Sequence, residues 1–151
     1  IQGDFPFVNP KNISKLINFH KTHKFEIVVP YSPMDEKDAK SKDIVKLAIN
    51  QDNKVVYFSR SLIPFPFKKK PIYYSKHMSI ISFDKKALEK FSSLKLGNIE
   101  KIEGIELMRA IENNMRVGSF IIRDDIFSVD VKKDYLRSID LMPHDKIRKK
   151  Y

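Results

Sequence analysis

The sequence predicts an α/β domain in which helices cover a mixed β-sheet. Amphipathic helical patterns alternate with short apolar, β-branched runs along the 151-residue chain. One pair of these runs is joined by a polar connection of four residues, 51–54, which makes the pair an antiparallel hairpin. A chain of this length can bury one core, so we expect residues 1–151 to form a single domain.

Composition narrows the class of protein. The chain is 42% apolar and 11% aromatic, which is typical of a globular protein. The absence of cysteine excludes disulfides, thiolate zinc sites and thiol catalysis, and agrees with the cytoplasm, where we expect the protein. No apolar run reaches the ~18 residues of a membrane span, so we expect no membrane partner.

The net charge of +10 raises the question of nucleic acid as a partner. Most of the lysines are scattered, and only residues 68–70 and 146–150 form basic clusters. We interpret both clusters as solvated, because charge runs usually face water, and we do not expect nucleic acid as the main partner. The charge would still steer a phosphorylated substrate toward the protein.

The first third of the chain predicts one helix and one strand. Asn9 before Pro10 is typical of a helix start, and apolar residues spaced three and four apart continue the helix over residues 10–23. Residues 25–29 predict a strand that ends at Pro30. His20 and His23 could share a metal in principle, but two histidines without further ligands rarely do.

The middle of the chain predicts a loop or short surface helix over residues 31–43, followed by the hairpin strands 44–50 and 55–60. Two prolines exclude residues 61–67 from the interior of a sheet. This apolar loop either packs under the domain or against a partner subunit.

The last half predicts a strand over 76–83 and a helix capped by Asp84. A second helix spans 99–113, and a strand spans 115–123. The inward-facing residues we expect are Ala87, Leu88 and Phe91 in the first helix, Ile102, Ile105, Met108 and Ile111 in the second, and Tyr135, Leu136 and Ile139 in a closing helix over 132–142. Three glutamates follow a neighbouring stripe of the second helix, of which Glu100 and Glu103 are expected to be structural.

Two aspartates stand out because each ends a short apolar run and precedes a helix. Asp4 follows Ile1-Gln2-Gly3, and Asp130 follows Phe127-Ser128-Val129 after a turn at Asp124-Asp125. Ligands of open α/β sheets lie beyond the carboxyl ends of strands, where such aspartates can hold a metal or phosphate. A turn or helix cap is the commoner role of an aspartate after a strand.

Five motifs in order resemble the 3-deoxy-manno-octulosonate cytidylyltransferases, which make CMP-Kdo (the CMP ester of that acid) for lipopolysaccharide. Their consensus forms are QGDEP, VKVV with YFSRxxIP, RHxGI, LExIExLEQLR and VDTPEDL. The matching stretches are Gln2-Gly3-Asp4-Phe5-Pro6, Val45-Lys46 with Tyr57-Phe58-Ser59-Arg60-Ser61-Leu62-Ile63-Pro64, Lys76-His77-Met78-Ser79-Ile80, residues 99–109, and Val129-Asp130 with Asp134-Tyr135-Leu136. The match covers most of the chain.

The resemblance implies a Rossmann-like nucleotidyltransferase fold of the glycosyltransferase-A-like type, with a mixed sheet and flanking helices. It also implies that the amino-terminal nucleotide-binding half is missing, so that residues 1–151 are a partial domain carrying the sugar-acid and dimerisation side. The implied reaction transfers CMP from CTP to a 2-keto-3-deoxy sugar acid and releases pyrophosphate. We expect a homodimer, and we expect the 151-residue piece alone to be inactive.

The resemblance also implies roles for particular residues. Asp4 and Asp130 are expected to be catalytic and to hold Mg²⁺, which usually takes one or two carboxylates plus substrate phosphates. The expected substrate-binding residues are Gln2, Arg60, His77 and Glu106. The alternatives are a salt bridge for Arg60 and a satisfied, half-buried strand histidine for His77.

Three departures from the family pattern bear on the sugar. Phe5, Ile81 and Leu107 replace polar residues that the family has at or near the expected sugar pocket. The resemblance therefore supports the transfer of CMP from CTP better than it supports the identity of the sugar acid. A catalytically inactive relative and a polyanion- or RNA-binding module, with a basic groove and stacking aromatics, remain the alternatives.

Overall fold

The structure, a computed structural model, describes residues 1–124, 128–129, 131–145 and 147–148. The predicted metal ligand Asp130, together with Asp125, Phe127 and the tail lysines 146, 149 and 150, lies outside these residues. None of the helices in the described ranges combines the length and the hydropathy that a membrane crossing requires.

One mixed sheet organises the described part of the chain. Its six strands are β1 (Ile27–Met34), β2 (Lys46–Ile49), β3 (Val55–Ser59), β4 (Tyr74–His77), β5 (Ser82–Phe83) and β6 (Val117–Ile121). The order is β3-β2-β4-β1-β5, with β6 on the other edge of β1. Strands β1 and β6 are parallel and the other pairs are antiparallel, which confirms the predicted mixed sheet.

Helices cover both faces of the sheet. They are α1 (Pro10–Thr22), α2 (Glu36–Ala39), α3 (Lys85–Ser93), α4 (Asn98–Glu103), α5 (Met108–Glu112) and α6 (Lys132–Leu141), followed by a short 3₁₀ turn, Met142–His144. On one face, Leu16 of α1 packs with Val28, Met78, Ile80 and Ile122. The larger cluster on the other face contains Ile27 and Val29 together with Met108 and Ala110 of α5.

The predicted helix 10–23 and the hairpin are confirmed. The side chain of Asn9 accepts a hydrogen bond from the backbone N–H of Lys11, and Pro10 occupies the first turn, as expected for a helix start. In the hairpin, Lys46 is opposite Ser59. The Asn50 side chain bonds the N–H groups of Asp52 and Lys54, which closes the turn.

The prediction that Pro30 ends the first strand is wrong, because β1 continues to Met34. One edge of β1 pairs with β5 at Ile27 and Val28 and with β4 from Tyr31 onward. Pro30 lies between these two partners, where its missing N–H interrupts no ladder bond, and its carbonyl accepts from the N–H of Met78. The predicted strand 76–83 is also wrong as one element. It forms two short strands, β4 and β5, which pair with different parts of β1 and have the buried residues Met78 and Ile80 between them.

The predicted helix 99–113 is also wrong as a continuous element. Gly104 has φ of 62°, a left-handed conformation that ends α4 and restarts the chain as α5. The break shifts the helical phase, so Ile105 and Met108 are buried while Ile102 is 83% exposed. Leu88, Tyr135, Leu136 and Ile139 are likewise exposed rather than inward.

Candidate functional site

The parallel strands β1 and β6 end at the same edge of the sheet, and polar residues gather there. Ser32, Pro33 and Met34 close β1, while Ile122, Arg123 and Asp124 follow β6. All of these residues except Ile122 line a cavity of about 300 Å³, together with Asp38, Ile44 and Lys76. A crevice beyond the carboxyl ends of parallel strands is where α/β sheets bind ligands.

The first turn of α1 holds Asp124 at this edge. The Asn12 side chain, which is fully buried, donates to Asp124 Oδ2 at 2.6 Å, and Asn9 Nδ2 is 3.5 Å from the same oxygen. The Oδ1 atom of Asn12 is buried and has no hydrogen-bond partner among the described residues. The sequence predicts only a turn at Asp124, so this arrangement becomes visible in the structure alone.

Asp4 lies in the turn that precedes α1. Its backbone carbonyl accepts from the N–H of Val129 at 2.9 Å, so residues 4 and 129 are neighbours. The Asp4 Oδ1 atom is buried without a hydrogen-bond partner in the described part of the chain. A buried carboxylate oxygen without a donor is costly in a folded protein, and a bound cation would satisfy it.

The pairing of Asp4 with Asp130 stays a prediction, because Asp130 is outside the described residues. Within those residues, no three or more histidine, aspartate or glutamate side chains gather to hold a metal. His20 and His23 do not form a metal site in the structure. Both ring nitrogens of His20 have protein partners, the hydroxyl of Ser82 and the carbonyl of Phe25.

Arg60 belongs to a hydrogen-bonded network beyond the end of β3. Its guanidinium donates to the backbone carbonyls of Lys42, Glu103 and Gly104, at 3.0–3.5 Å. The Glu103 carboxylate in turn accepts from the Ser59 hydroxyl and from the backbone N–H of Arg60. The structure thus gives Arg60 a structural role through carbonyl oxygens rather than a salt bridge, and its role in substrate binding stays a prediction.

Lys46 completes this network from the interior. Its side chain is fully buried, and Nζ donates to the carbonyls of Ser41, Ile44 and Arg60 at 2.5–2.8 Å. Burial lowers the pKa of Lys46, and the nearby Arg60 charge lowers it further. The three carbonyls offset the cost of burying the ammonium group.

His77 lies in β4 opposite Tyr31 of β1. Its ring meets Phe58 edge-on at 5.6 Å, and Nε2 is shielded from solvent without a hydrogen-bond partner among the described residues. Burial lowers the pKa of His77 to about 4, so the ring is neutral at pH 7. The alternative of a strand histidine whose ring nitrogens both have hydrogen-bond partners therefore does not describe His77. Its Nε2 atom is available for a hydrogen bond with a substrate.

His77 and the edge cavity are on opposite faces of the sheet. Side chains alternate along a strand, and Lys76, opposite Ser32, lines the cavity. His77 instead faces Phe58 and the larger core. The structure therefore does not bring His77 into the cavity at the ends of β1 and β6.

The remaining predicted residues differ in their surroundings. Gln2 and Glu106 are exposed. Glu100, only 4% exposed, pairs with Arg109 through two hydrogen bonds, and this pairing lowers the pKa of the Glu100 carboxyl. The structural interpretation of Glu100 and Glu103 is confirmed.

The three departures from the family pattern are packing residues in this chain. Leu107 is buried in the larger core, and Ile81 packs against that core. Phe5 packs against the cluster under α1. Their apolar character is explained by these contacts.

Arg123 is, besides Asp124, a residue of this edge that the sequence does not predict as part of a site. In the described part of the chain, no hydrogen bond or ion pair holds its guanidinium. It lies near Tyr31, whose pKa is raised to about 12, first by burial and then by its hydrogen bond with Tyr73, against the opposing effect of the Arg123 charge. The available signal was the arginine–aspartate pair directly after the apolar run of β6.

Comparison with known proteins agrees with this architecture. The sequence profile of the family described as cytidylyltransferase matches residues 1–117. The 3-deoxy-manno-octulosonate cytidylyltransferase of Rickettsia canadensis is 37% identical over 139 residues, which are 92% of this chain and 55% of the relative. The enzyme of the same name from Rickettsia typhi is 37% identical over 139 residues, 92% of this chain and 56% of its own length.

A solved structure has the same fold. It is described as CMP:2-keto-3-deoxy-manno-octonic acid synthetase complexed with CTP, and it matches with a TM-score of 0.89 over 95% of this chain and 60% of its own. At 23% identity this likeness shows the fold, and it confirms the predicted Rossmann-like sheet with flanking helices. The chain spans about half the length of the relatives that it matches. With a family profile that covers most of its residues, the chain belongs to the cytidylyltransferase family.

Proposed function

We propose that the protein containing this chain transfers CMP from CTP to 3-deoxy-manno-octulosonate or a related 2-keto sugar acid, for the synthesis of lipopolysaccharide or another surface polysaccharide. The names of the Rickettsia relatives support the substrate class. The structural observation that carries the proposal is Asp4, whose buried Oδ1 atom has no partner in the described residues. Because the chain spans about half of those relatives, we expect the activity of the full-length protein and not of residues 1–151 alone.

In the proposed reaction, the anomeric hydroxyl of the sugar acid attacks the α-phosphorus of CTP. The new bond joins the sugar oxygen to phosphorus, the bond between the α- and β-phosphates breaks, pyrophosphate leaves, and the hydroxyl proton passes to solvent. Catalysis of this kind depends on positioning and on charge stabilisation more than on covalent chemistry.

Asp4 fits a divalent cation because it offers a buried carboxyl oxygen that no donor among the described residues satisfies. We propose that Asp4 and Asp130 together hold Mg²⁺, which when bound would offset charge on the phosphates. The hydrogen bond between Val129 and Asp4 supports the pairing, since Val129 directly precedes Asp130 in the sequence. The backbone bond brings the turn that carries Asp4 next to the residue that precedes Asp130 in the sequence.

The proposed homodimer would cover the exposed apolar residues of the loop between β3 and β4. Phe65, Phe67 and Ile72 are 74%, 83% and 99% exposed. The alternative in which the predicted loop 61–67 packs under its own domain is therefore wrong for Phe65 and Phe67. A second subunit that covers them would remove apolar area from water.

The same loop supports a second candidate function, binding of RNA or another polyanion. Phe65 and Phe67 are exposed beside Lys68, Lys69 and Lys70, and aromatic rings with neighbouring cations bind single strands without sequence preference. Lys70 pairs with Glu36 at 2.8 Å, which reduces the free charge. RNA affinity that falls steeply with salt, together with no binding of CTP, would favour this candidate.

The proposed transferase is tested by pyrophosphate release from CTP across a panel of 2-keto sugar acids, using the full-length protein. We expect Asp4→Asn and Asp130→Asn each to lower turnover by about a hundredfold or more, since each removes one of the two carboxylates that the protein would supply to the proposed ion. Asp140→Asn, in the exposed face of α6, is the matched control and should leave turnover unchanged. The proposal would be contradicted if none of the acids supported turnover, or if both variants kept full turnover.

A further inference from the structure

A second group of polar side chains lies at the other end of β1 from the edge cavity. Ser82 of β5 is opposite Val28, near the start of β1. The Ser82 hydroxyl is 2.6 Å from Nδ1 of His20 in α1, and Nε2 of the same ring is 3.7 Å from Oδ1 of Asp84. A serine, a histidine and an aspartate connected in this order activate a serine nucleophile in several unrelated folds.

The partners of the His20 ring determine which of its nitrogens carries the proton. Nε2 is 3.1 Å from the backbone carbonyl of Phe25, which can only accept a hydrogen bond. In the neutral ring, Nε2 is therefore the donor and Nδ1 the acceptor, so the Ser82 hydroxyl donates to Nδ1. A general base requires this arrangement, because the lone pair that would take the proton already faces the hydroxyl.

The neighbouring pair of Thr22 and His23 lacks this arrangement. The Thr22 hydroxyl is 2.9 Å from Nδ1 of His23, but the same nitrogen is 2.9 Å from the carbonyl of Phe19, to which it donates. The Thr22 hydroxyl is also 3.0 Å from the carbonyl of Asn18. A ring nitrogen that carries its own proton cannot take one from a hydroxyl, so His23 is not a base for Thr22.

Asp84 supports the His20 ring from its other side. It occupies the N-cap position of α3, yet its side chain makes no capping hydrogen bond. Its carboxylate lies instead 3.7 Å from Nε2 of a histidine side chain that is only 9% exposed. A carboxylate at this distance favours the imidazolium that forms when the Ser82 hydroxyl gives up its proton. Asp84 is therefore a positioning residue that acts through His20.

Ser82 and His20 line a cavity of about 220 Å³. Ile17 and Lys21 of α1 line it as well. Ile17 gives the cavity an apolar wall, and the Lys21 cation can offset the negative charge that develops on a carbonyl oxygen under attack. Pockets for drug-sized ligands begin at about 300 Å³, so this smaller cavity suits a short acyl group.

We propose that this cavity is an acyl-transfer site in which Ser82 is the nucleophile, His20 is the general base, and the substrate is a short carboxylic ester. The Ser82 oxygen attacks the carbonyl carbon of the ester, and its proton passes to Nδ1 of His20. The bond from that carbon to the alcohol oxygen then breaks, and His20 gives the proton to the leaving alcohol. A water molecule, deprotonated by the same ring, attacks the acyl-serine and releases the carboxylic acid. This activity is independent of the proposed transfer of CMP.

The first test is labelling of the full-length protein with a fluorophosphonate, in which the serine oxygen bonds to phosphorus and fluoride leaves. Peptide mapping by mass spectrometry should place the label on Ser82 and not on the exposed Ser14. His20→Gln should slow the labelling of Ser82 by about a hundredfold or more, the usual contribution of a general base. His23→Gln is the matched control at the end of the same helix and should be labelled like the unaltered protein.

Labelling of Ser82 that is no faster than labelling of Ser14 would overturn the inference. This comparison is made within the unaltered protein, so it decides the question even if His20→Gln fails to fold. Equal labelling rates of the unaltered protein and a folded His20→Gln variant would overturn the inference as well.

Hydrolysis of 4-nitrophenyl acetate by the full-length protein tests the complete cycle. Ser82→Ala should lower the rate to that of buffer, and the decanoate ester should be a poor substrate because the cavity is small. Asp84→Asn should lower kcat by about tenfold through the lost carboxylate charge and leave KM nearly unchanged, which a merely structural defect would not do. Equal rates of Ser82→Ala and the unaltered protein, or equally fast hydrolysis of the decanoate, would contradict the proposal.

Discussion

Two polar regions of this chain differ in whether their hydrogen bonds are complete. At the end of β3, Lys46, Arg60 and Glu103 are joined to backbone groups by a dense set of hydrogen bonds. Around the turn of Asp4 and the start of α1, Asp4 and Asn12 each have a buried oxygen that has no hydrogen-bond partner among the described residues. Buried polar groups are normally satisfied, so exceptions indicate a function or a missing ligand. The complete hydrogen bonding at the end of β3 indicates a structural scaffold, and the incomplete hydrogen bonding of the other region indicates a binding site.

The largest effect on stability should come from the region at the end of β3. Lys46→Met keeps the approximate length and volume of the side chain but leaves the carbonyls of Ser41, Ile44 and Arg60 without their shared donor. We expect the free energy of unfolding to fall by about 3 kcal/mol, roughly 1 kcal/mol for each lost bond. Urea unfolding measures the change.

Lys85→Met is the control for this substitution, because Lys85 is exposed in the first turn of α3. A surface substitution of this kind should change stability by no more than about 0.5 kcal/mol. If Lys46→Met and Lys85→Met unfolded at the same urea concentration, the region at the end of β3 would not be the scaffold that we describe.

An effect on stability of at most similar size, confined to acidic pH, should come from His77. Its folded pKa is lowered to about 4 by burial, below the ordinary value of 6.5. Between these values the unfolded chain binds more protons than the folded chain, so stability is fully present above pH 6.5 and falls as the pH is lowered toward 4. The loss attributable to this ring is up to about 3 kcal/mol over that window.

His77→Gln should flatten the decline of unfolding free energy between pH 6.5 and pH 4, as followed by urea unfolding at a series of pH values. His144→Gln, at an exposed position, serves as the control and should keep the decline. An undiminished decline in His77→Gln would mean that the ring is not held neutral by the fold.

Sequence reasoning found the elements whose signals are local. Asn9 with Pro10 starts α1, and the polar connection 51–54 turns the hairpin, because capping and turn chemistry depend on neighbouring residues. The strand through Pro30 could not be predicted in this way. The strand tolerates Pro30 because β4 and β5 pair with one edge of β1 on either side of this residue. This arrangement is a property of the tertiary structure.

The site was predicted in part for the same reason. Asp4 was found from its place before a helix and from the family resemblance, and its orphaned carboxylate oxygen agrees with a ligand role. Arg60 carries a family motif, but its carbonyl partners come from residues 42, 103 and 104, far apart in sequence. Arg123 was missed because its importance depends on the parallel pairing of β6 with β1, which places it at a shared edge.

The most direct measurement of the central claim uses Mn²⁺ as a paramagnetic probe of the proposed Mg²⁺ site, read from amide signals of the ¹⁵N-labelled 151-residue chain. We predict that Mn²⁺ broadens the signals of Asp4 and Val129 first, that excess Mg²⁺ restores them, and that Asp4→Asn abolishes the effect. Broadening that begins elsewhere, or that is the same in Asp4→Asn, would contradict the assignment of the metal site to Asp4.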